Sequence, residues 1–163
     1  MGKNGKIWQK VGERARVFTF KGTYRFSIDH KGRLSLPVKF RDRTDSPSGD
    51  LYTVAQGYES CLYVYPRDTW DVLEQRMLQL NTQADPRARF FLRVIYPNAQ
   101  DVQTDRQGRI PIPQNLLDLA FIKKDVVVRG VLDKIEIWGP EVLKKYNESQ
   151  TESFEDVARQ LLI

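Results

Sequence analysis

Residues 29–37 read Asp-His-Lys-Gly-Arg-Leu-Ser-Leu-Pro, and residues 105–113 read Asp-Arg-Gln-Gly-Arg-Ile-Pro-Ile-Pro. Asp29, Gly32, Arg33 and Pro37 return as Asp105, Gly108, Arg109 and Pro113, while Leu34 and Leu36 return as Ile110 and Ile112. The likeness continues: Leu51–Gly57 is echoed by Lys124–Gly130, and Leu62–Pro66 by Ile135–Gly139. The offset is 76 residues at the turn and 73 later, and the difference falls in the loop Arg41–Asp50. Loops absorb such changes at little cost. A repeated unit that cannot close its own core needs its copy, so the chain is expected to fold as two interdependent halves.

Bulk properties narrow the classes. A chain of 163 residues, 40% of them apolar, suits one compact domain or two small fused units with a true core. No apolar run approaches the ~18 residues of a membrane span, and residues 1–20 are basic rather than signal-like. A single cysteine, Cys61, leaves no intramolecular disulfide framework and points to a reducing, soluble compartment. The net charge of +5 is unevenly spread: Met1–Thr19 holds +4, leaving +1 for the remainder. Any anionic polymer must therefore meet positive charge that is locally concentrated or multiplied by oligomerisation.

Residues 1–19 show no sustained period and read as a basic, flexible arm, partly helical near Trp8–Val17. Tyr24, Phe26 and Ile28 then alternate with polar residues, Asp29–Gly32 turns the chain, and Leu34 and Leu36 resume until Pro37. This reads as a β-hairpin, with Gly32 supplying the turn conformation. A short helix is expected over Val38–Arg43 with Phe40 inward, then strands Leu51–Ala55 and Cys61–Tyr65. Pro66 and Asp68 open a helix with Trp70, Leu73, Met77 and Leu80 on one face. Asp85-Pro86 caps another, with Phe91, Leu92 and Ile95 on a face, broken by Pro97-Asn98.

The second half repeats the order: strands near Ala99–Thr104 and Arg109–Ile112, helix Gln114–Leu119, strands Val126–Arg129 and Lys134–Trp138, helix Pro140–Tyr146. Glu148–Glu152 reads as a linker before a last helix, Ser153–Leu162, with Phe154, Val157, Leu161 and Leu162 on one stripe. That stripe suits docking on its own subunit or on a neighbour. The organisation expected is an arm (1–19), a first repeat with helices (20–97), a second repeat (98–146) and a C-terminal linker and helix (147–163).

A search for an active site finds little. His30, the only histidine, lies in a turn whose copy has Arg106 there. Cys61 starts an apolar strand with no partner base in sequence, and reads as a buried thiol. No phosphate-binding glycine loop, nucleophile motif or metal-spaced cluster is present, so neither enzyme activity, cofactor nor metal is expected. Asp29 and Asp105 each precede an arginine by four residues across a glycine turn. That spacing suits acceptance of turn amides or orientation of the arginine. Arg33 and Arg109 then have two readings: an ion pair with the neighbouring aspartate, or a planar fork offered to phosphates or guanine edges. Lys31, Lys39, Arg41 and Arg43 lie near the first turn in sequence, so the first repeat is expected to carry the stronger positive field.

The stretch Phe20-Lys21-Gly22-Thr23-Tyr24, with Ile28–Pro37 and the second Asp-x-x-Gly-Arg turn, resembles the MraZ family of bacterial transcriptional regulators over roughly residues 18–146. The resemblance implies an α+β chain forming a double-split, swapped-hairpin β-barrel of the AbrB or MazE kind, built from two internal repeats with flanking helices. It implies a cytoplasmic, nucleoid-associated regulator that assembles as a ring-shaped homo-oligomer on double-stranded DNA. The sites implied are tandem short repeats before the operon for cell division and cell-wall synthesis, its own gene included. The DNA contacts carry over to Lys31, Gly32 and Arg33 in the first turn and to Gly108 and Arg109 in the second. Asp29 and Asp105 carry over as supports, and Lys39 and Arg41 are auxiliary cations. The basic first nineteen residues depart from the family pattern. The alternative is a ring-forming interaction or antitoxin-like scaffold that acts through protein contacts.

Overall fold

The computed structural model describes residues 18–41 and 49–163. The expected helix near Trp8–Val17, Arg43 and most of the loop of unequal length lie outside the described residues. Strand β1 (Phe20–Ser27) and strand β2 (Arg33–Ser35) flank the first turn, and helix α1 (Val38–Arg41) follows. Strands β3 (Leu51–Gln56) and β4 (Leu62–Pro66) lead into α2 (Arg67–Leu78) and α3 (Pro86–Asn98). The second half runs β5 (Gln100–Gln103), β6 (Arg109–Pro111), α4 (Gln114–Leu119), β7 (Asp125–Leu132) and β8 (Lys134–Trp138). Helices α5 (Pro140–Ser149) and α6 (Phe154–Gln160) close the chain.

The two halves are interleaved. Six strands form an antiparallel sheet in the order β1-β7-β8-β4-β3-β5, and β2 pairs with β6 in a separate ribbon. The expected hairpin at Asp29–Gly32 is therefore not a pair of bonded strands. The turn itself is tight, with Asp29 N–H donating to Arg33 O and Gly32 N–H to Asp29 O. Beyond it the strands part, β1 going to β7 and β2 to β6, each in the other repeat. Strand β2 has only three residues, too few for a ladder along the eight-residue β1.

An approximate dyad relates the copies. In the ribbon Leu34 faces Ile110, its own counterpart; in the sheet centre Tyr63 faces Glu136, also its counterpart. Leu34 and Ile110 are fully buried, as are Leu116, Ile135 and Ile137 nearby in the same core. Each such side chain contributes ~1.5–3 kcal/mol relative to exposure. This core lies between the ribbon with α1 and α4 on one side and the sheet on the other.

The sheet's other face carries a second core of Ala55, Tyr63, Tyr65, Trp70, Val127 and Trp138, covered by residues of α2, α3 and α5. Burial on both faces explains why β4 reads as an apolar run rather than a clean alternation. Asp85 caps α3 by accepting from the Arg87 amide, as its Asp-Pro start predicts. Pro97 does not end α3, which continues to Asn98; lacking an N–H, it costs the last turn one intrahelical hydrogen bond, and the chain leaves the helix one residue later. Strand β7 extends past Arg129 to Leu132 because β1 supplies a full partner ladder. Helix α5 runs to Ser149, shortening the expected linker, and Leu80 lies beyond the end of α2 and is exposed.

Candidate nucleic-acid interface

Each turn is built by its aspartate. Asp29 Oδ1 accepts from the amides of Lys31 and Arg33, both at 2.9 Å, and Oδ2 takes Nε of Arg33 at 2.7 Å. Asp105 repeats this with the amides of Gln107 and Arg109, both at 2.9 Å, and with Nε of Arg109 at 2.9 Å. Gly32 and Gly108 close the turns at φ +74° and +75°, in the left-handed region that side chains resist. The amide of Arg33, ahead of its guanidinium and the Lys31 amide, holds the Asp29 carboxyl at about 2, against an ordinary value of 3.8. Asp105 is lowered in the same way, first by the amide of Arg109. Both readings of the aspartates, turn acceptor and arginine partner, are thus realised in one geometry.

The ribbon places the turns side by side. Leu36 N–H donates to Gly108 O at 3.0 Å, and Ile112 N–H donates to Gly32 O at 2.8 Å. Nη1 of Arg109 then lies 3.7 Å from Oδ2 of Asp29, the oxygen already bound by Arg33. Two guanidiniums from different repeats therefore flank one carboxylate oxygen. Both stay reachable, with about a quarter of each side chain exposed. His30 and Lys31 in the first turn, Arg106 in the second and Lys39 in α1 are exposed.

Arg41 departs from its expected place. Its Nε donates to Leu36 O at 3.0 Å, and its guanidinium lies against Gly108, where a methyl group would collide with it. The cation thus joins the second turn, not the first, because β2 carries α1 across to β6. Nothing comparable covers Gly32, whose nearest neighbour in the added-methyl direction is Ile112 O. The repeat gives no sign of this crossing: at an offset of 76, Arg41 is answered by Leu117, a buried residue that carries no charge.

The remaining candidates separate from this site. Cys61 is buried and donates to Tyr58 O. Burial, reinforced by Glu136 and Glu59, pushes its thiol up to about 12. Among the described residues no cluster of His, Cys, Asp and Glu could hold a metal ion, and no helix is long and apolar enough to cross a membrane.

A family model described as MraZ protein, putative antitoxin-like, matches twice, over residues 19–94 and 95–162. The chain belongs to the MraZ family. A protein named transcriptional regulator MraZ from Natranaerobius thermophilus is 40% identical over 144 residues, covering 88% of this chain and 96% of its own. Its namesake from Alkaliphilus metalliredigens is 40% identical over 143 residues, 87% of this chain and 96% of its own. That from Syntrophomonas wolfei is 37% identical over 144 residues, with 88% and 96% covered. The two MraZ matches meet within α3, so each contains one arginine turn. In this MraZ-family chain the two turns are similar in backbone and unequal in side-chain surroundings: Asp29 serves both arginines, and Arg41 covers only the second glycine.

Proposed function

We propose that the chain is a sequence-specific DNA-binding transcriptional regulator whose contacts are made by Arg33 and Arg109. The observation that carries this reading is their convergence on Asp29 Oδ2 at the end of a two-stranded ribbon. A short β-ribbon has the dimensions to enter a major groove, and an oriented guanidinium donates two parallel bonds to a guanine edge or a phosphate. Asp29 and Asp105 fix the arginines before binding, which lowers the ordering cost. Lys31, Lys39 and Arg41, with the turn backbone at Gly32 and Gly108, supply the surrounding contacts. The relatives' name, transcriptional regulator, supports the same reading.

The interleaved repeats are the two swapped hairpins of a double-split barrel in this proposal. A ring-shaped homo-oligomer would set many ribbons against tandem short DNA repeats, so modest single contacts multiply by ~10²-fold or more. A body of near-neutral charge needs such multiplication. The proposed targets lie before the operon for cell division and cell-wall synthesis, the protein's own gene included, which places it in the cytoplasm on the nucleoid. The competing scaffold reading draws support from the exposed apolar residues of α6. Fluorescence anisotropy on DNA upstream of the protein's own gene, against scrambled DNA at several salt concentrations, separates the two. Tighter, salt-sensitive binding to the native sequence is expected. Equal weak binding to both DNAs, or none by a folded oligomer, would overturn the sequence-specific reading.

A further inference from the structure

Helix α4 ends in a way that its sequence does not favour. Phe121 N–H donates to Asp118 O at 3.1 Å and Ile122 N–H to Leu117 O at 2.9 Å. That pair of bonds closes a helix when its first donor takes a left-handed conformation, a place glycine usually fills. Here Phe121 fills it, at φ 56°. Packing does not offset the cost, because the ring is 71% exposed. The ring stands on the wall of an open cleft of about 720 Å³, a size common among small-molecule sites. The cleft lies between the α4–β7 loop, the start of α5 and Ser60 in the β3–β4 turn.

Lys123, Lys124 and Lys145 line the same cleft. All three are exposed, and none has an ion-pair partner among the described residues. The first repeat serves as an internal control. At the offset of 73 these lysines are answered by Asp50, Leu51 and Val72, so β3 and α2 form the matching corner without these cations. The apolar wall of Phe121, Pro140 and Val142 beside three cations suits a flat apolar body that carries a phosphate. Lysine meets phosphate as a point charge and needs no fixed fork to do so. Asp125 already accepts from Ser27 Oγ at 3.1 Å, which leaves the exposed Glu141 to take a hydroxyl or amino group.

We infer that this cleft binds a nucleoside monophosphate, the base against Phe121 and the phosphate on the lysines, and that occupancy is felt at the first turn. The link is short. Ile28 N–H donates to Lys124 O at 2.7 Å, and Ser27 pairs with Asp125. The next residue after Ile28 is Asp29, which lies against both arginines. A ligand that holds Lys124 and Asp125 steadies the strand end from which Asp29 hangs. The transmission rests on the DNA-binding reading; the cleft does not.

The test is calorimetry on the full-length protein with the four ribonucleoside monophosphates, the matching nucleosides and inorganic phosphate. At least one monophosphate is expected to bind at one per chain, about tenfold or more tighter than its nucleoside or phosphate alone. Lys123→Ala with Lys145→Ala is expected to weaken that binding about tenfold or more. Phe121→Gly is expected to weaken it too while leaving Tm unchanged or higher, because glycine takes the left-handed conformation freely. A phenylalanine with a purely structural role would not separate those two readouts. No binding of any monophosphate by the folded parent, or binding that survives both variants, would overturn the site. Inorganic phosphate binding as tightly as the nucleotide would show plain counter-ion attraction and overturn it as well. In anisotropy titrations, saturating nucleotide is expected to tighten binding to the native DNA about fivefold or more, and DNA to tighten the nucleotide by the same factor. Nucleotide binding without that change would overturn the transmission and leave the site standing. Weaker DNA binding by the lysine variant with no nucleotide present would put these lysines on DNA and overturn the inference.

Discussion

Nη1 of Arg109 lies 3.7 Å from Oδ2 of Asp29, the oxygen that takes Nε of Arg33 at 2.7 Å. One carboxylate thus positions arginines from both repeats, whereas Asp105 positions only its own. Asp29→Asn should lose the charge-assisted bond to Arg33 and the ion pair with Arg109, and Asp105→Asn only its own bond to Arg109. Removing a negative charge also favours phosphates indiscriminately. The expected result for Asp29→Asn is a ratio of specific to scrambled-DNA affinity reduced about tenfold, with scrambled-DNA binding unchanged or stronger. Asp105→Asn should reduce the ratio less. Anisotropy titrations on both DNAs check this, and equal effects of the two variants would contradict a shared role for Asp29.

The arginines themselves should differ. Arg33 is held by Asp29, but Arg109 is near both Asp105 and Asp29, so more of its charge is already compensated. Arg33→Ala should weaken binding to the native DNA by about ten- to a hundredfold, from the ~1–3 kcal/mol of a bidentate arginine contact. Arg109→Ala should be milder. If either contact is to phosphate, the salt slope should fall by about one for that variant. If it is to a base, the affinity for scrambled DNA should stay near that of the parent.

Much of this was legible in the residues. The repeat announced two copies of one unit, Asp85-Pro86 announced a helix start, and the Asp-x-x-Gly-Arg spacing announced a carboxylate that serves both turn and arginine. The partners of each strand were not legible, because alternation in β1 says which face is buried and nothing about which strand lies alongside. Arg41 shows the consequence. Near the first turn in sequence, it ends at the second turn because β2 pairs with β6, a choice that depends on residues 76 positions away. Tyr63 and Glu136 likewise meet only because β4 and β8 pair across the dyad.

Gly32 and Gly108 have nearly the same φ, so alanine at either carries the left-handed backbone cost, on the order of 1 kcal/mol. At Gly108 the new methyl also strikes the Arg41 guanidinium. Gly108→Ala should therefore lower Tm more than Gly32→Ala. Adding Arg41→Ala to Gly108→Ala should recover part of the difference, whereas adding it to Gly32→Ala should recover nothing. A double-mutant cycle by thermal melts measures the coupling.

The acid limb of stability should carry the signature of Asp29. Its folded carboxyl titrates at about 2, below the ordinary 3.8, so the folded state holds the proton less tightly than the unfolded chain. The stabilisation is then fully present above about pH 4 and lost as pH falls toward 2. Asp29→Asn should be less stable than the parent at pH 6, and the gap should narrow between pH 4 and 2. A gap independent of pH would show that the carboxylate's charge is not what the turn uses.

The alkaline limb has the opposite sign and a different origin. Burial pushes the Cys61 thiol from 9.0 up to about 12, and the Tyr63 hydroxyl from 10.0 up to about 12. Each group stays neutral in the folded protein while the unfolded chain ionises, so stability is intact below pH 9 and falls as pH rises toward 12. The two lie in the second core beside Trp70 and Trp138, where a thiolate or phenolate would be poorly solvated. A thiol reagent at pH 8 should therefore label Cys61 only as fast as the protein opens, and denaturant should restore rapid labelling. Cys61→Ala should flatten part of the alkaline fall without touching the acid limb. Rapid labelling of the native protein would mean that the sheet face under α2 and α5 opens far more readily than its packing implies.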